Sequence, residues 1–330
     1  MKKRLLGNTK LEVSPLAVGC WAFAGGANWG DQDENESISV VHAALDRGIN
    51  FFDTAPGYGN GESERVLGVA LKGRRDQAVI ATKVKDVELD AISLRASCEK
   101  SLSLLQTDRI DLLQIHWANR DVPFVETIGA LEALTKEGKI RHVGVCNFGI
   151  GDMEEWSDSA GEMISNQLPY SLLSRAIEYD IIPECEKRDV SVLPYSPLLQ
   201  GLLTGKFPTP DSVPVGRARS RHFSEDREQA RHGEAGCEEE MFETIAAVVR
   251  IAAELGVSPS ALSLAWLAKQ SNVASVIAGA RNVKQLTENA RFMEVSIDSE
   301  IDSRLRAASD AVMKKLGNNP DLWNAVNRFR

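Results

Sequence analysis

The sequence predicts an α/β protein built as a (β/α)8 TIM barrel, and three observations indicate this fold class. Short apolar runs bounded by turn residues recur along the chain, a pattern typical of strands buried on both faces of a parallel sheet. Apolar stripes at helical spacing fill the intervals between the runs. Polar residues stand where several runs end, and a barrel of this kind carries its chemistry at the carboxyl ends of its strands.

The chain begins with a predicted β-hairpin and then enters the first of eight predicted strands. Eight strand-helix units with short connections favour closure into a barrel over an open sheet. The strands are predicted at residues 16–20, 50–53, 78–83, 109–116, 140–146, 163–167, 191–195 and 273–277.

Helical patterns separate these strands. Each stripe gives its helix one apolar face to pack on a barrel, and Glu137-Gly138 is a typical helix end. The clearest stripes are Leu94, Cys98, Leu102 and Leu105, and then Phe124, Ile128, Leu131 and Leu134.

Two segments depart from the repeating unit. Residues 196–238, after the seventh strand, are rich in Gly, Pro, Arg and Ser, and so long a connection is usually functional. We expect it to fold over a ligand. Residues 298–315 predict an extra helix, and the tail after it carries Trp323 and Phe329. Residues 1–330 are expected to form one domain.

Composition excludes several classes of function. With 38 basic and 47 acidic residues the net charge is −9, which disfavours nucleic-acid binding. No apolar stretch approaches the roughly 20 residues that span a bilayer. The five cysteines are widely spaced and odd in number, which argues against disulfides and a thiolate metal site. Since the first residues contain no signal-peptide core, we expect a cytoplasmic protein.

Asp53, Tyr58, Lys83 and His116 are the predicted catalytic residues. Three of them end or follow apolar runs, and Tyr58 lies in the turn-rich loop after Asp53. A phenol with a pKa of about 10 is a weak acid at neutral pH, but a nearby ammonium favours its ionised form and a carboxylate keeps that ammonium charged. The histidine can donate from a ring nitrogen to the same substrate oxygen. This set suits proton transfer to an oxygen that gains negative charge.

The segments around these residues resemble the aldo-keto reductases. The resemblance begins with GINFFDTA at residues 48–55 and YGNGESE at 58–64. It extends over nearly the whole chain. The residues of these segments are more similar to the bacterial and channel-subunit-like branches of the family than to mammalian aldose reductase. Its further segments lie at Lys83 and at residues 111–116, 144–148, 166–171, 195–198 and 277–281.

The resemblance implies a barrel that binds NADPH, or less often NADH, without a Rossmann domain. The implied reaction interconverts aldehydes or ketones, with sugars and polyols among the candidates, and alcohols. By the same resemblance Tyr58 is the general acid, Lys83 and Asp53 tune it, and His116 orients or polarises the carbonyl. The long connection at 196–238 would cover the cofactor.

Further residues are expected to hold that cofactor. Asn147, Asn166 and Gln167 offer amide groups to the nicotinamide carboxamide, and Tyr195 offers a face for stacking. Arg281, at the start of the eighth helix, is expected to hold the adenosine 2'-phosphate, which favours NADPH. The other expected cofactor contacts are Trp21, Asp53, Ser196, Leu198, Gly201, Lys206, Gly279, Gln285, Glu288 and Asn289.

The substrate pocket is expected to include Trp21, Tyr58, His116 and Trp117. The substrate itself stays open, because specificity lies in the loops at 22–33, 118–122 and 206–238 and in the tail; the direction of reaction and the oligomeric state are also open. Two functions remain: a reductase or alcohol dehydrogenase dependent on NADP(H), and a nicotinamide-binding sensor or assembly subunit with little turnover. A metal-dependent hydrolase is disfavoured because the five histidines form no H-x-H pair.

Overall fold

The computed structural model describes residues 2–26 and 29–330. Within them, a short antiparallel hairpin precedes eight parallel strands, as the sequence predicts. The hairpin consists of β1 (Arg4–Leu5) and β2 (Glu12–Val13). The parallel strands are β3 (Leu16–Gly19), β4 (Phe51–Asp53), β5 (Val79–Val84), β6 (Ile110–Ile115), β7 (Ile140–Cys146), β8 (Ser165–Pro169), β9 (Ser191–Tyr195) and β10 (Val276–Gly279).

The parallel strands close into a barrel. They follow one another in chain order from β3 to β9, and β10 pairs with β3. The two edges meet where Val192 of β9 pairs in parallel with Val273. The predicted (β/α)8 TIM-barrel fold is therefore confirmed.

Helices connect successive strands and surround the sheet. Most intervals hold one helix, whereas α7 and α8 both lie between β9 and β10. The helices are α1 (Glu34–Asp46), α2 (Glu62–Ala70), α3 (Ala91–Leu104), α4 (Phe124–Lys136), α5 (Ile150–Asp158), α6 (Ile181–Lys187), α7 (Glu238–Glu254), α8 (Pro259–Lys269), α9 (Val283–Ala290) and α10 (Ser299–Leu316).

The alternation of side chains along each strand separates two cores. The smaller core fills the barrel and includes Leu112, together with Phe51 and Val79, the first residues of their strands. Leu6 and Val13 of the hairpin pack against it, so the hairpin closes the amino-terminal end of the barrel. The larger core lies between the strands and the helices. The opposite rim, where the strands end, is left for the site.

Two predicted strands were misplaced. The sixth was expected at 163–167 and lies two residues later. The eighth was expected at 273–277, but only Val276–Gly279 pairs with β3. The preceding residues pair with β9 instead: the Val192 N–H donates to the Asn272 carbonyl at 2.8 Å, and the Ala274 N–H donates to the Val192 carbonyl at 3.2 Å. The first residues of this apolar run thus pair with β9 and the later ones with β3, and the composition of the run does not reveal this division.

The connection after β9 and the tail pack together on the barrel. Three short 3-10 turns at Leu199–Thr204, Pro210–Ser212 and Val215–Arg217 occupy part of the connection. The Arg221 guanidinium donates to the carbonyls of Leu316 and Asn319, at 3.2 and 2.9 Å. The extra helix predicted at 298–315 is α10, which packs against α7. All five cysteines are free and buried.

No single helix within residues 2–26 and 29–330 has the length and apolarity to cross a membrane. Among these described residues, α7 and α8 reach the required length and apolarity only as a pair, and the two helices meet at an angle of 96°.

Candidate active site

A buried ion pair forms the base of the site. Asp53 ends β4 and Lys83 lies near the end of the neighbouring β5, and both project inward by the strand alternation. The Lys83 Nζ lies 2.7 Å from Asp53 Oδ1 and donates to the Thr54 carbonyl at 2.8 Å. The two side chains are 1% and 4% exposed. Burial alone would lower the pKa of Lys83, but the neighbouring groups, of which Asp53 contributes most, together raise that pKa above its ordinary value.

Tyr58 lies over this pair. Its ring centroid is 5.2 Å from the Lys83 Nζ, and its ring stacks on Trp21 with centroids 5.6 Å apart. Burial raises the pKa of Tyr58 to about 12, although the Lys83 ammonium opposes that rise. The phenol therefore keeps its proton at neutral pH, beside a cation that can stabilise the phenolate once the proton has left.

His116 directly follows β6, and its backbone N–H donates to the Val84 carbonyl at 2.9 Å. Burial, followed by the positive charge of Lys83, lowers the pKa of His116 to about 3. The imidazole is therefore neutral at pH 7 and can donate one ring N–H. The structure brings Asp53, Tyr58, Lys83 and His116 together at one rim of the barrel, and their catalytic roles stay predictions.

Two glutamines complete the surroundings of Asp53. The Gln167 Nε2 donates to Asp53 Oδ2 at 2.7 Å, and the Gln114 Nε2 donates to the same oxygen at 3.1 Å. Gln167 was expected to meet the cofactor, whereas Gln114 was not predicted as a site residue. A signal was present, because Gln114 is a polar residue on the inward side of the apolar strand β6. Both glutamines therefore donate to the Asp53 carboxylate, which in turn accepts from the Lys83 ammonium.

Asn147 and Tyr195 extend the site along the rim. The Tyr195 hydroxyl donates to Asn147 Oδ1 at 3.1 Å, and Asn147 Nδ2 donates to the His116 carbonyl at 3.0 Å. Asn147 has a left-handed backbone, with φ of +61°, which asparagine tolerates better than most residues. It turns the chain out of β7 directly after the buried thiol of Cys146.

Asn166 is not brought into the site. Its Nδ2 donates to the Phe148 carbonyl at 2.9 Å, its Oδ1 accepts from the Phe148 N–H at 3.4 Å, and its side chain is buried in the outer layer near Met153. The physical reason is the strand period, which places Asn166 and Gln167 of β8 on opposite faces. We therefore leave Asn166 out of the proposed cofactor contacts.

The connection after β9 leaves the rim through a strained segment. Ser196, Leu199 and Gln200 have positive φ values of +52°, +40° and +54°, and Gly201 has +96°. Leu198 lies within this segment and packs against the large core. Such runs of left-handed residues persist where surrounding contacts impose them, and they concentrate at ligand sites.

Cationic side chains gather beside Gly201. A Cβ on Gly201 would lie 2.8 Å from the Lys206 Nζ and 4.0 Å from Arg217 Nη1. Burial and then the charge of Arg217 lower the pKa of Lys206. The Arg217 guanidinium also lies 5.5 Å from the ring centroid of Trp29. Arg217 was not predicted, because the spacing of the arginines in this connection does not show which of them turns inward.

The residues predicted near the eighth helix lie at the start of α9 and along it. The Arg281 Nε donates to Gln32 Oε1 at 2.9 Å, and its Nη2 donates to the Asp31 carbonyl. The Arg281 N–H donates to Gln285 Oε1 at 2.9 Å. Asn289 Nδ2 donates to the carbonyl of Gly279, an exposed residue, at 3.1 Å. The Glu288 carboxylate lies 3.6 Å from the Arg291 guanidinium. Arg281 also acts on Arg217 by charge repulsion, which contributes, after burial, to lowering the pKa of Arg217.

Aromatic side chains line the approach. Trp21 lies between Tyr58 and Trp29, whose ring meets it edge-on at 5.4 Å. Trp117 directly follows His116 and contacts the tail, since its ring meets Phe329 edge-on at 5.3 Å. The loop at 22–33, expected to take part in specificity, includes residues 27 and 28, which lie outside the described residues.

The sequence matches the model of the aldo/keto reductase family over residues 15–310. It is 41% identical to the aldo-keto reductase YhdN of Bacillus subtilis over 63% of this chain and 65% of that protein, slightly less than two thirds of its length. It is 33% identical to the NADH-specific methylglyoxal reductase of Escherichia coli, over 94% of this chain and 99% of that protein.

Solved structures agree with the sequence comparison. The glycerol dehydrogenase AKR11B4 from Gluconobacter oxydans is 30% identical with a TM-score of 0.79, over 96% of this chain and 97% of that one. An aldo/keto reductase from Klebsiella pneumoniae in complex with NADP and acetate is 27% identical with a TM-score of 0.74, over 93% of this chain and 95% of that one.

Proposed function

The chain belongs to the aldo/keto reductase family, and on that basis we propose that it is an NAD(P)H-dependent oxidoreductase that interconverts aldehydes or ketones and alcohols. The observation that carries the proposal is the buried Lys83–Asp53 pair beneath the Tyr58 ring. A methylglyoxal reductase and a glycerol dehydrogenase among the similar proteins support small carbonyl compounds and polyols as the substrate class.

In reduction, a substrate carbonyl oxygen that gains negative charge needs a proton and a preorganised donor. Tyr58 gives up its phenolic proton to that oxygen. The Lys83 ammonium stabilises the phenolate left behind, while Asp53 keeps the ammonium charged and fixed. Neutral His116 donates a ring N–H to the same oxygen and so orients the carbonyl. In the oxidation of an alcohol the phenolate accepts the proton instead.

The residues present fit a nicotinamide dinucleotide, which when bound supplies or accepts the hydride. Gln167, Asn147 and Tyr195 lie beside the catalytic residues and offer amide groups and an aromatic face. Lys206 and Arg217 gather next to Gly201, whose missing Cβ lets the Lys206 ammonium approach the backbone and supply positive charge there.

The charges favour phosphate groups at this end of the site. Arg281 lies close enough to Arg217 for their like charges to interact, and cations that form no ion pair within residues 2–26 and 29–330 suit a polyanion. We propose that Lys206 and Arg217 bind the pyrophosphate and that Arg281 binds the 2'-phosphate, so that NADP(H) is preferred while NAD(H) is also accepted. Five free, buried cysteines support a cytoplasmic enzyme.

The test is the variant Tyr58→Phe with Tyr179→Phe as its control. Tyr179 is 49% exposed and lies outside the site, so its loss should leave turnover unchanged. Since the phenyl ring of the Tyr58→Phe variant has no proton to donate, we expect kcat to fall by roughly 10²–10⁴-fold, with the Kd for NADPH changed by less than about threefold. Binding is measured by tryptophan fluorescence and turnover by nicotinamide absorbance over a panel of aldehydes, ketones and polyols.

Unchanged turnover in Tyr58→Phe would exclude Tyr58 as the acid. Tight binding of NADPH by the native chain with no turnover over the whole panel would instead favour the sensor function.

A further inference from the structure

The tail after α10 returns to the catalytic rim and is fixed there. The Arg330 N–H donates to Asp152 Oδ2 at 3.0 Å, and the Asp152 N–H donates to the Arg330 carbonyl, also at 3.0 Å. A Cβ on Gly149 would lie 2.3 Å from that carbonyl, so the tail approaches the start of α5 as closely as glycine allows. Asp152 also accepts from Arg120, in the loop after His116, at 2.6 Å. One buried carboxylate, that of Asp152, thus joins the tail to the loop that follows His116.

This attachment places two side chains on Trp117. Phe329 is buried and meets the Trp117 ring edge-on, while the Arg328 guanidinium lies 3.9 Å from the centroid of the same ring. Because Trp117 directly follows His116, Arg328 lies at the mouth of the candidate active site. The rim position is supported by Tyr195: burial mainly raises its pKa, and the charge of Arg328 acts against that rise.

The Arg328 guanidinium is fixed by Asp321, but not all of its N–H donors have a partner within the described residues. Its Nε and Nη2 donate to Asp321 at 2.5 and 3.2 Å, and its Nη1 has no hydrogen-bond partner in residues 2–26 and 29–330. The Arg328 side chain is 43% exposed, whereas Asp321 is fully buried and also accepts from the N–H groups of Trp323 and Asn324. The buried carboxylate is therefore shared among several donors, and Nη1 of the partly exposed Arg328 side chain keeps its N–H groups unpaired in the part of the chain that the structure describes.

We propose that Arg328 is a specificity-determining residue that binds an anionic group, a carboxylate or a phosphate, on the carbonyl substrate. This inference rests on the proposed function and narrows its substrate class. Asp321 and Trp117 fix the guanidinium plane, and Nη1 offers N–H donors that a carboxylate or phosphate can accept. The substrate carbonyl then lies at Tyr58 and His116, with its charged end at Arg328.

The experiment compares 4-carboxybenzaldehyde with 4-formylbenzamide, which has nearly the same size and no charge. In Arg328→Gln we expect the KM for the carboxylate to rise roughly tenfold or more, the size of a lost charge-assisted hydrogen bond, and the KM for the amide to change by less than about threefold. Arg304→Gln is the matched control, because Arg304 is similarly exposed (40%) and also joins one carboxylate, on Glu254. Glyceraldehyde 3-phosphate against glyceraldehyde distinguishes phosphate from carboxylate.

If the KM values for the charged and the neutral aldehyde rise by the same factor, their ratio is unchanged and the inference is overturned, since Arg328 would then only position Trp117. Benzoate and benzamide are titrated in parallel by tryptophan fluorescence, a measurement that needs no turnover. If benzoate binding depends on Arg328 while no aldehyde is reduced, the anion site stands and the proposed function fails. If neither binding nor KM depends on Arg328, the anion site is wrong.

Discussion

Replacing Asp53 with asparagine should expose the cost of keeping Lys83 buried. The Lys83 side chain is 1% exposed and its Nζ lies 2.7 Å from the Asp53 carboxylate. Removing one partner of a buried ion pair costs about 3–5 kcal/mol, because the remaining charge loses its compensation. We expect the free energy of unfolding of Asp53→Asn to be lower than that of the native chain by about this amount at pH 7.

The amount by which the free energy of unfolding of Asp53→Asn falls below that of the native chain, here called the deficit, should depend on pH. Without the carboxylate, we expect burial, which lowers the pKa of Lys83, to hold that pKa in the folded variant below its value in the unfolded chain. Between those two pKa values the unfolded chain binds more protons than the folded one, so the stability of the variant rises with pH. In the native chain the pKa of Lys83 is raised, and the contribution of the pair is lost only above the alkaline range of the experiment. The deficit should therefore shrink as the pH is raised from about 7 toward 10.

Urea unfolding followed by tryptophan fluorescence measures this difference. Asp111→Asn is the control: its side chain is 2% exposed and lies 2.7 Å from Arg75, and a guanidinium does not lose its proton in this range. The deficit of Asp111→Asn should stay constant with pH. A deficit of Asp53→Asn that is equally constant would refute the argument that Lys83 titrates in the variant.

Two further predictions concern the site. The pKa of His116, lowered to about 3, means that its imidazole stays neutral above about pH 5; kcat/KM should therefore show no step near pH 6.5, and a step that His116→Gln abolished would contradict this. Arg281→Ala should raise the Kd for NADPH by roughly tenfold or more and change that for NADH by less than about threefold, measured by fluorescence quenching; equal losses for both cofactors would remove its role at the 2'-phosphate.

The sequence sufficed to predict the barrel and to place Asp53, Lys83 and His116 at strand ends, because buried parallel strands are continuous apolar runs and the polar residues interrupt them. The same logic, carried one step further, distinguishes Gln167 from Asn166, since neighbours on a strand face opposite ways. Other parts depend on contacts between distant segments. The position of Arg217 beside Gly201 and of Arg328 on Trp117 follows from how long, irregular segments fold, and local pattern does not specify that.

The hairpin at the lower end of the barrel has a consequence for the order of binding and release. Since Leu6 and Val13 close that end and side chains fill the interior of the barrel, a ligand can reach and leave the site only at the opposite rim. On the proposed assignment the nicotinamide would contact Gln167, and the substrate would lie near Trp21 and Trp117. Because both molecules would then use one opening, we expect the dinucleotide to bind before the substrate and to leave after it.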